Sequence, residues 1–209
     1  MEIMTGSGAA RAELDGAGPA RPGGAPEPSF LVVLTHGAGG SADSPDLLAV
    51  RDAALELGGL TARVTQPYRV RGARAPGSAT RQDAAWVEIV TALAKLAPGV
   101  PLVQGGRSNG ARVACRTAAA VGARAVIALA FPLCPPRRTA GSVSRAAELH
   151  AARDGGAKVL VVNGDRDPFG IPAERDADRV VVVPGETHAL KGHRAAVVAA
   201  VAEWLPTVL

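Results

Sequence analysis

Residues 105–110 read Gly-Gly-Arg-Ser-Asn-Gly and contain the pattern G-x-S-x-G, which decides the fold that we predict. An apolar run at residues 100–103 precedes the pattern, and a helix-like stretch at residues 109–120 follows it. A serine in such a strand-to-helix turn takes a strained backbone conformation, and the residues two positions away must be small because the strand and helix approach closely. Glycine meets this demand on both sides, so Ser108 is a candidate nucleophile.

Two later apolar runs end in residues that can complete a catalytic triad. The run at 158–162 is followed by Asp165 and Asp167, and the run at 180–183 is followed by His188. Serine, then acid, then histidine is the chain order of the α/β-hydrolases. All the candidates lie just past the predicted carboxyl ends of strands, the edge at which open parallel sheets bind ligands. We predict that His188 accepts the serine proton as general base.

Two aspartates compete to orient the imidazole of that histidine. Pro168 disfavours helical geometry at Asp167 and extends it at the tip of the loop. Asp165 follows Gly164 directly, where an aspartate commonly caps a turn. We favour Asp167 as the catalytic acid, and Asp165 remains the alternative.

A glycine-rich loop offers an oxyanion hole. The buried-strand run at residues 30–35 continues into His36-Gly37-Ala38-Gly39-Gly40. Loops of the type H-G-x-G-G can direct one backbone N–H at developing negative charge, while the residue after the nucleophile supplies the second. The predicted oxyanion donors are therefore the N–H groups of Ala38 and Asn109.

The same loop has a rival interpretation as a dinucleotide fingerprint. Residues 37–42 fit G-x-G-x-x-A, which requires a helix starting on the glycines and an acid at the end of the next strand. The better helix start is Ser44-Pro45, and the next strand, residues 60–65, runs into Gln66 rather than an acid. We therefore expect no cofactor.

Four ordered motifs resemble a known hydrolase-like domain. They are L-T-H-G-A-G-G at 34–40, G-G-R-S-N-G-A-R at 105–112, F-P-L at 131–133 and G-D-R-D-P-F-G at 164–170. Together they resemble the α/β-hydrolase-like domain of testis-expressed protein 30, the NSL-complex regulatory subunit 3 and many bacterial predicted hydrolases, over nearly all of residues 30–209. The resemblance implies Ser108 as nucleophile, Asp167 as acid and His188 as base. The sequence departs from it at Cys134, where many relatives would have histidine, so the role of that position is open.

Alternating apolar runs and helix-like stretches predict a minimal α/β-hydrolase fold, with a mostly parallel sheet of about six strands and helices on both faces. We assign residues 29–209 to this single domain. Residues 1–28, rich in glycine and proline, are predicted to be a mostly disordered tail with at most a remnant hairpin near residues 10–14. The long connections 66–79 and 132–143 are expected to shape the pocket. Arg69 and Arg71 in the first of them can bind an anionic substrate or simply be solvated.

Composition narrows the function. The net charge is +4, but only three of 23 basic residues are lysine and aromatic residues make up 3%, so no clustered, aromatic-rich nucleic-acid surface is expected. There is no 20-residue apolar span, no signal-like start and no metal-ligand spacing of the two cysteines, so we expect a cytoplasmic protein without metal or membrane association.

The prediction is a serine hydrolase of a small ester, thioester or related acyl bond. The alternative is a non-catalytic interaction or scaffold domain, and the sequence does not indicate the oligomeric state.

Overall fold

The computed structural model describes residues 1–16, 27–135 and 143–209 of the chain. The strands are Glu2–Thr5 (β1), Gly8–Asp15 (β2), Leu31–Thr35 (β3), Leu60–Thr65 (β4), Leu102–Arg107 (β5), Ala125–Leu129 (β6), Lys158–Gly164 (β7) and Arg179–Val183 (β8). The helices are Pro45–Glu56 (α1), Pro67–Val70 (α2), Ala79–Ala94 (α3), Asn109–Thr117 (α4), Ala146–Asp154 (α5) and Arg194–Trp204 (α6). None of the helices in the described parts of the chain is long and apolar enough to cross a membrane.

All eight strands form one sheet in the order β1-β2-β4-β3-β5-β6-β7-β8, and strands β3 to β8 pair in parallel. Helices α1 and α6 cover one face, where Leu47 and Trp204 share a core with Ile127 of β6. Helices α4 and α5 lie on the other face, where Leu149 packs with Val126, the strand neighbour of Ile127. Because successive side chains of a strand point to opposite faces, the sheet is covered on both sides. The predicted α/β fold class is confirmed.

The amino-terminal segment differs from the prediction. Strands β1 and β2 form a hairpin, and β2 pairs antiparallel with β4, so the sheet has eight strands rather than about six. Ile3 and Ala12 of the hairpin are buried. The prediction of a mostly disordered tail is therefore wrong for residues 2–15, and the proposed hairpin near residues 10–14 is longer than expected. Residues 17–26 of the predicted tail lie outside the described part of the chain.

An ion cluster secures this hairpin to the rest of the sheet. Arg63 of β4 is almost fully buried, and its guanidinium lies 2.9 Å from Glu13 and 2.8 Å from Asp15, both in β2. A third carboxylate, that of Asp43 before α1, contacts the same guanidinium. Charge pairing compensates for the burial of Arg63 and links the edge of the sheet to the segment that follows β3.

Two elements extend beyond their sequence patterns. Strand β5 continues through Gly105 and Gly106 to Arg107, although the apolar run ends at Val103. A Cβ atom at Gly105 would lie 2.5 Å from the carbonyl oxygen of Ile127 in the adjacent strand, so glycine fits where a larger residue would collide. In addition, the short helix α2 forms in a region for which the sequence predicts neither helix nor strand.

Candidate active site

Ser108 lies in the turn between β5 and α4, at the carboxyl edge of the sheet. Its backbone has φ 52° and ψ −111°, a conformation that costs energy for a residue with a side chain. A Cβ atom at Gly106 would lie 2.6 Å from the carbonyl oxygen of Thr35, and one at Gly110 would lie 2.5 Å from the same oxygen. Both flanking glycines are therefore required by the end of β3, which passes directly against the turn.

The three predicted triad side chains meet in one hydrogen-bonded chain. The Nε2 atom of His188 lies 2.9 Å from the Oγ atom of Ser108, and its Nδ1 atom lies 2.8 Å from the Oδ2 atom of Asp167. Because a carboxylate can only accept, the Nδ1 atom carries the proton in this arrangement and Nε2 is left to accept the serine hydroxyl. His188 is thus held in the tautomer that a general base needs.

The structure also distinguishes between the two candidate acids. Asp167 is buried, with a completely covered side chain in contact with His188. Asp165 is exposed. Its backbone N–H donates to the carbonyl of Val183. Asp165 therefore contributes to the structure of the turn.

Asn163 and Phe169 hold the Asp167 carboxylate, and the sequence interpretation missed both. Asp167 accepts hydrogen bonds from the backbone N–H of Phe169 at 2.9 Å and from the side-chain amide of Asn163 at 3.2 Å. Asn163 is fully buried, and its amide also exchanges two hydrogen bonds with the backbone of Phe131. An asparagine at the end of an otherwise apolar strand was the available signal, because a buried amide needs specific partners.

Phe169 contacts His188 as well as Asp167. Its ring lies 4.3 Å from the imidazole, centroid to centroid, with the two planes inclined by 39°. The ring covers one face of the imidazole and restricts its rotation about the hydrogen bonds to Ser108 and Asp167. Phe169, the phenylalanine of the motif D-P-F-G, therefore lies next to the site.

The predicted oxyanion loop packs directly on Ser108. A Cβ atom at Gly37 would lie 3.3 Å from the Cβ atom of Ser108 and equally close to the carbonyl oxygen of Arg107, so the loop approaches closely because it lacks a side chain there. The next residue, Ala38, is exposed. Asn109 begins α4 next to Ser108, and its side-chain amide nitrogen is buried without a partner among the described residues. The two predicted donors thus belong to segments that meet at Ser108.

His36, the first residue of the loop motif, links two segments of the chain by hydrogen bonds. Its side chain is fully buried, and burial lowers its pKa. The ring Nδ1–H donates to the carbonyl of Gly37 at 2.9 Å, and Nε2 accepts the backbone N–H of Gln66 at 3.0 Å. A neutral imidazole therefore ties the start of the oxyanion loop to the start of α2, beside the ring of Tyr68.

The structure describes the contacts of three residues whose roles the sequence left open, namely Arg69, Arg71 and Cys134. Arg69 donates to the carbonyl oxygens of Gly40 and Ala73, each at 3.2 Å, and so supports the oxyanion loop from outside. Arg71 donates to a backbone carbonyl in the β1–β2 turn. Cys134 is buried, and its backbone N–H donates to the carbonyl of Phe169 at 2.8 Å.

A strained serine between strand and helix, with a histidine and an acid from later strands of a parallel sheet, defines the α/β-hydrolase class. The chain belongs to the alpha/beta hydrolase domain family, whose sequence model matches residues 28–192. None of the curated proteins compared with it matches its sequence.

Solved structures share the whole fold. Est1E from Butyrivibrio proteoclasticus has a TM-score of 0.74 at 21% identity, covering 99% of this chain and 97% of its own. A dienelactone hydrolase from Anabaena variabilis has 0.73 at 19% identity, covering 100% and 96%. An α/β serine hydrolase without a lid from Xanthomonas campestris has 0.68 at 21% identity, covering 99% and 94%. At these identities the similarity establishes the fold.

Proposed function

We propose that the protein is a serine hydrolase that cleaves a small ester, thioester or related acyl bond through an acyl-enzyme on Ser108. The observation that carries the proposal is the hydrogen-bonded chain from Ser108 through His188 to Asp167. Partner binding alone would require neither these residue types nor this contact geometry. The same proposal has three further parts. The protein is of the testis-expressed protein 30 type, it is cytoplasmic, and its partner is a small molecule rather than a nucleic acid or a membrane.

In the proposed reaction the Oγ atom of Ser108 attacks the acyl carbon and passes its proton to Nε2 of His188. The N–H groups of Ala38 and Asn109 stabilise the resulting oxyanion. The intermediate then expels the alcohol or thiol, which takes the proton from His188. Water attacks the acyl-enzyme by the same steps, giving the acid and regenerating the serine. Asp167 accepts the hydrogen bond from Nδ1 throughout and stabilises the imidazolium that forms.

Short acyl groups are the expected substrates. Residues 130–145 are all that connect β6 to α5, too few for a separate lid domain over a long acyl chain. The structural neighbour from Xanthomonas campestris is likewise described as a hydrolase without a lid. We therefore propose acetyl to butyryl esters as the first substrates to test.

Labelling with a fluorophosphonate, which reacts covalently with activated serines, tests the proposal directly. The wild-type protein should be labelled and should hydrolyse p-nitrophenyl acetate and butyrate. Ser108→Ala should lose both properties while its melting temperature stays within about a degree of wild type, since no core packing is removed. Absence of labelling in a folded wild-type protein would favour the scaffold alternative. Full esterase activity in Ser108→Ala would exclude Ser108 as the nucleophile.

A further inference from the structure

Arg107, the residue before the candidate nucleophile, joins three segments at the carboxyl edge of the sheet. It ends β5, and its side chain is only 20% exposed. One guanidinium nitrogen, Nη2, donates to the backbone carbonyl of His188 at 2.8 Å, and Nε lies 3.0 Å from Oδ2 of Asp46. A third nitrogen, Nη1, would lie 3.4 Å from a Cβ atom at Gly37. Three segments therefore meet around one guanidinium: the loop between β8 and α6 that carries His188 (residues 184–193, the histidine loop), the oxyanion loop and the start of α1.

Asp46 fixes the other end of this arrangement. It lies in the first turn of α1, its side chain is completely buried, and burial raises the pKa of its carboxyl group. Its Oδ1 atom accepts the backbone N–H of Leu47 at 3.0 Å, whereas Oδ2 has no hydrogen-bond donor of good geometry in the described parts of the chain. The ion pair with Arg107 at 3.0 Å therefore adds a charged partner at Oδ2 that offsets part of the cost of burying the carboxylate. An ion pair kept at this desolvation cost, next to the candidate active site, restricts where the guanidinium can lie.

We infer that Arg107 is a positioning residue for His188 and that Asp46 holds Arg107 in place for this task. The inference rests on the proposed function, since it concerns how the base of that reaction is placed. Arg107 contacts the backbone of His188, whereas Asp167 and Ser108 contact the imidazole. The backbone and the ring are thus fixed independently. Because Arg107 is covalently next to Ser108, the nucleophile and the support of the base share one turn of chain.

A purely structural ion pair is the competing explanation, and the protein contains a matched control. Arg116 in α4 pairs with Asp83 in α3 through two hydrogen bonds of 2.6 and 2.8 Å. The Arg116 side chain is 17% exposed, close to the 20% of Arg107. Arg116 also contacts Glu148 of α5 at 3.4 Å, so each arginine joins three segments, but only Arg107 contacts the histidine loop. Comparing the two therefore separates stability from positioning.

The test compares Arg107→Met, Arg107→Lys and Asp46→Asn with Arg116→Met and Asp83→Asn. For p-nitrophenyl butyrate hydrolysis, Arg107→Met should lower kcat on the order of 10²-fold with little change in KM, because loss of alignment acts on the transition state. Arg107→Lys should recover part of the loss, since an ammonium can still donate to the His188 carbonyl. Both control variants should keep kcat near wild type, and melting curves check that every variant is folded. Equal kcat losses in the two sets, or none in Arg107→Met, would overturn the inference.

A second readout does not depend on turnover. The chain contains four histidines, so the imidazole nitrogen resonances of His188 can be assigned in the intact protein by comparison with His188→Asn. In the wild type they should report one Nδ1-protonated tautomer, and Arg107→Met should give exchange-broadened or mixed-tautomer signals while Arg116→Met does not. This change in a protein that fails to label with fluorophosphonate would support the positioning inference while refuting the proposed hydrolase. Unchanged His188 signals in folded Arg107→Met would refute the inference whatever the activity.

Discussion

Gly164 is the position at which a single methyl group should disturb the candidate site most directly. It ends β7, and a Cβ atom there would lie 2.2 Å from the carbonyl oxygen of Glu186 and 2.8 Å from that of Thr187, the residue before His188. Carbon–oxygen contacts normally begin at about 3.3 Å, so Gly164→Ala must push the histidine loop away by about 1 Å. Because the obstructing atoms are backbone, no side-chain rotation can relieve the overlap.

This displacement predicts two measurable losses. Overpacking of this kind costs about 1–3 kcal/mol, which for a chain of 209 residues corresponds to a melting temperature lower by about 2–12 °C. A shift of about 1 Å in the base should lower kcat on the order of 10²-fold. Differential scanning fluorimetry and p-nitrophenyl butyrate hydrolysis measure the two effects.

Gly6→Ala provides the control for Gly164→Ala. Gly6 lies in the exposed turn between β1 and β2, and a Cβ atom there would meet only the flexible carboxylate of Glu88, at 3.5 Å. This variant should retain wild-type stability and activity. If Gly164→Ala behaved in the same way, the described contact between the end of β7 and the histidine loop would be wrong.

Three further outcomes follow from contacts elsewhere in the fold. Deleting residues 1–16 should lower the melting temperature, because it exposes the edge of β4 and removes two carboxylate partners of Arg63; an unchanged midpoint would contradict this. Burial lowers the pKa of His36, so below pH 6.5 the unfolded chain binds a proton at this residue more readily than the folded protein does. The free energy of unfolding should therefore fall as the pH drops below 6.5, and urea unfolding should show a weaker pH dependence in His36→Gln. The hydrogen bond from His193 lowers the pKa of Glu186, so its contribution is complete above pH 4.5 and is lost as the pH falls through the lowered value. Glu186→Gln should therefore melt earlier than wild type at neutral pH, and a gap that persists in strong acid would exclude this origin.

The central fold was predictable because parallel strands covered on both faces appear in the sequence as short continuous apolar runs. Strands β3, β6 and β7 follow this rule closely. The amino-terminal hairpin does not, because it lies at an edge and uses small residues such as Ala10 and Ala12 where longer apolar side chains would have given a clear alternation. Its stability depends on pairing with β4 and on Arg63, which are distant in sequence.

The site was predictable to the extent that each residue type follows the end of a strand. Ser108, Asp167 and His188 could be nominated in this way, and the structure brings them within hydrogen-bond distance. The contacts of Arg107 with Asp46 and with the histidine loop could not be derived, because they depend on which loops meet in three dimensions. In the sequence, an arginine inside G-x-S-x-G looks like any other variable position.

The close approach of Gly106 and Gly110 to the carbonyl of Thr35 has a consequence for how this protein can be changed. There is no space for an added methyl group between β3 and the turn at residues 106–110 that carries Ser108 (the nucleophile turn). A change in one of the two segments therefore requires a change in the other. Variation in substrate preference, whether by natural drift or by laboratory selection, is therefore confined to other segments. The connection between β4 and α3 is one such segment, since residues 71–75 are exposed, although Gly72 and Gly77 have positive φ and should stay glycine. A mutant library aimed at new substrates should diversify that connection and keep the nucleophile turn unchanged.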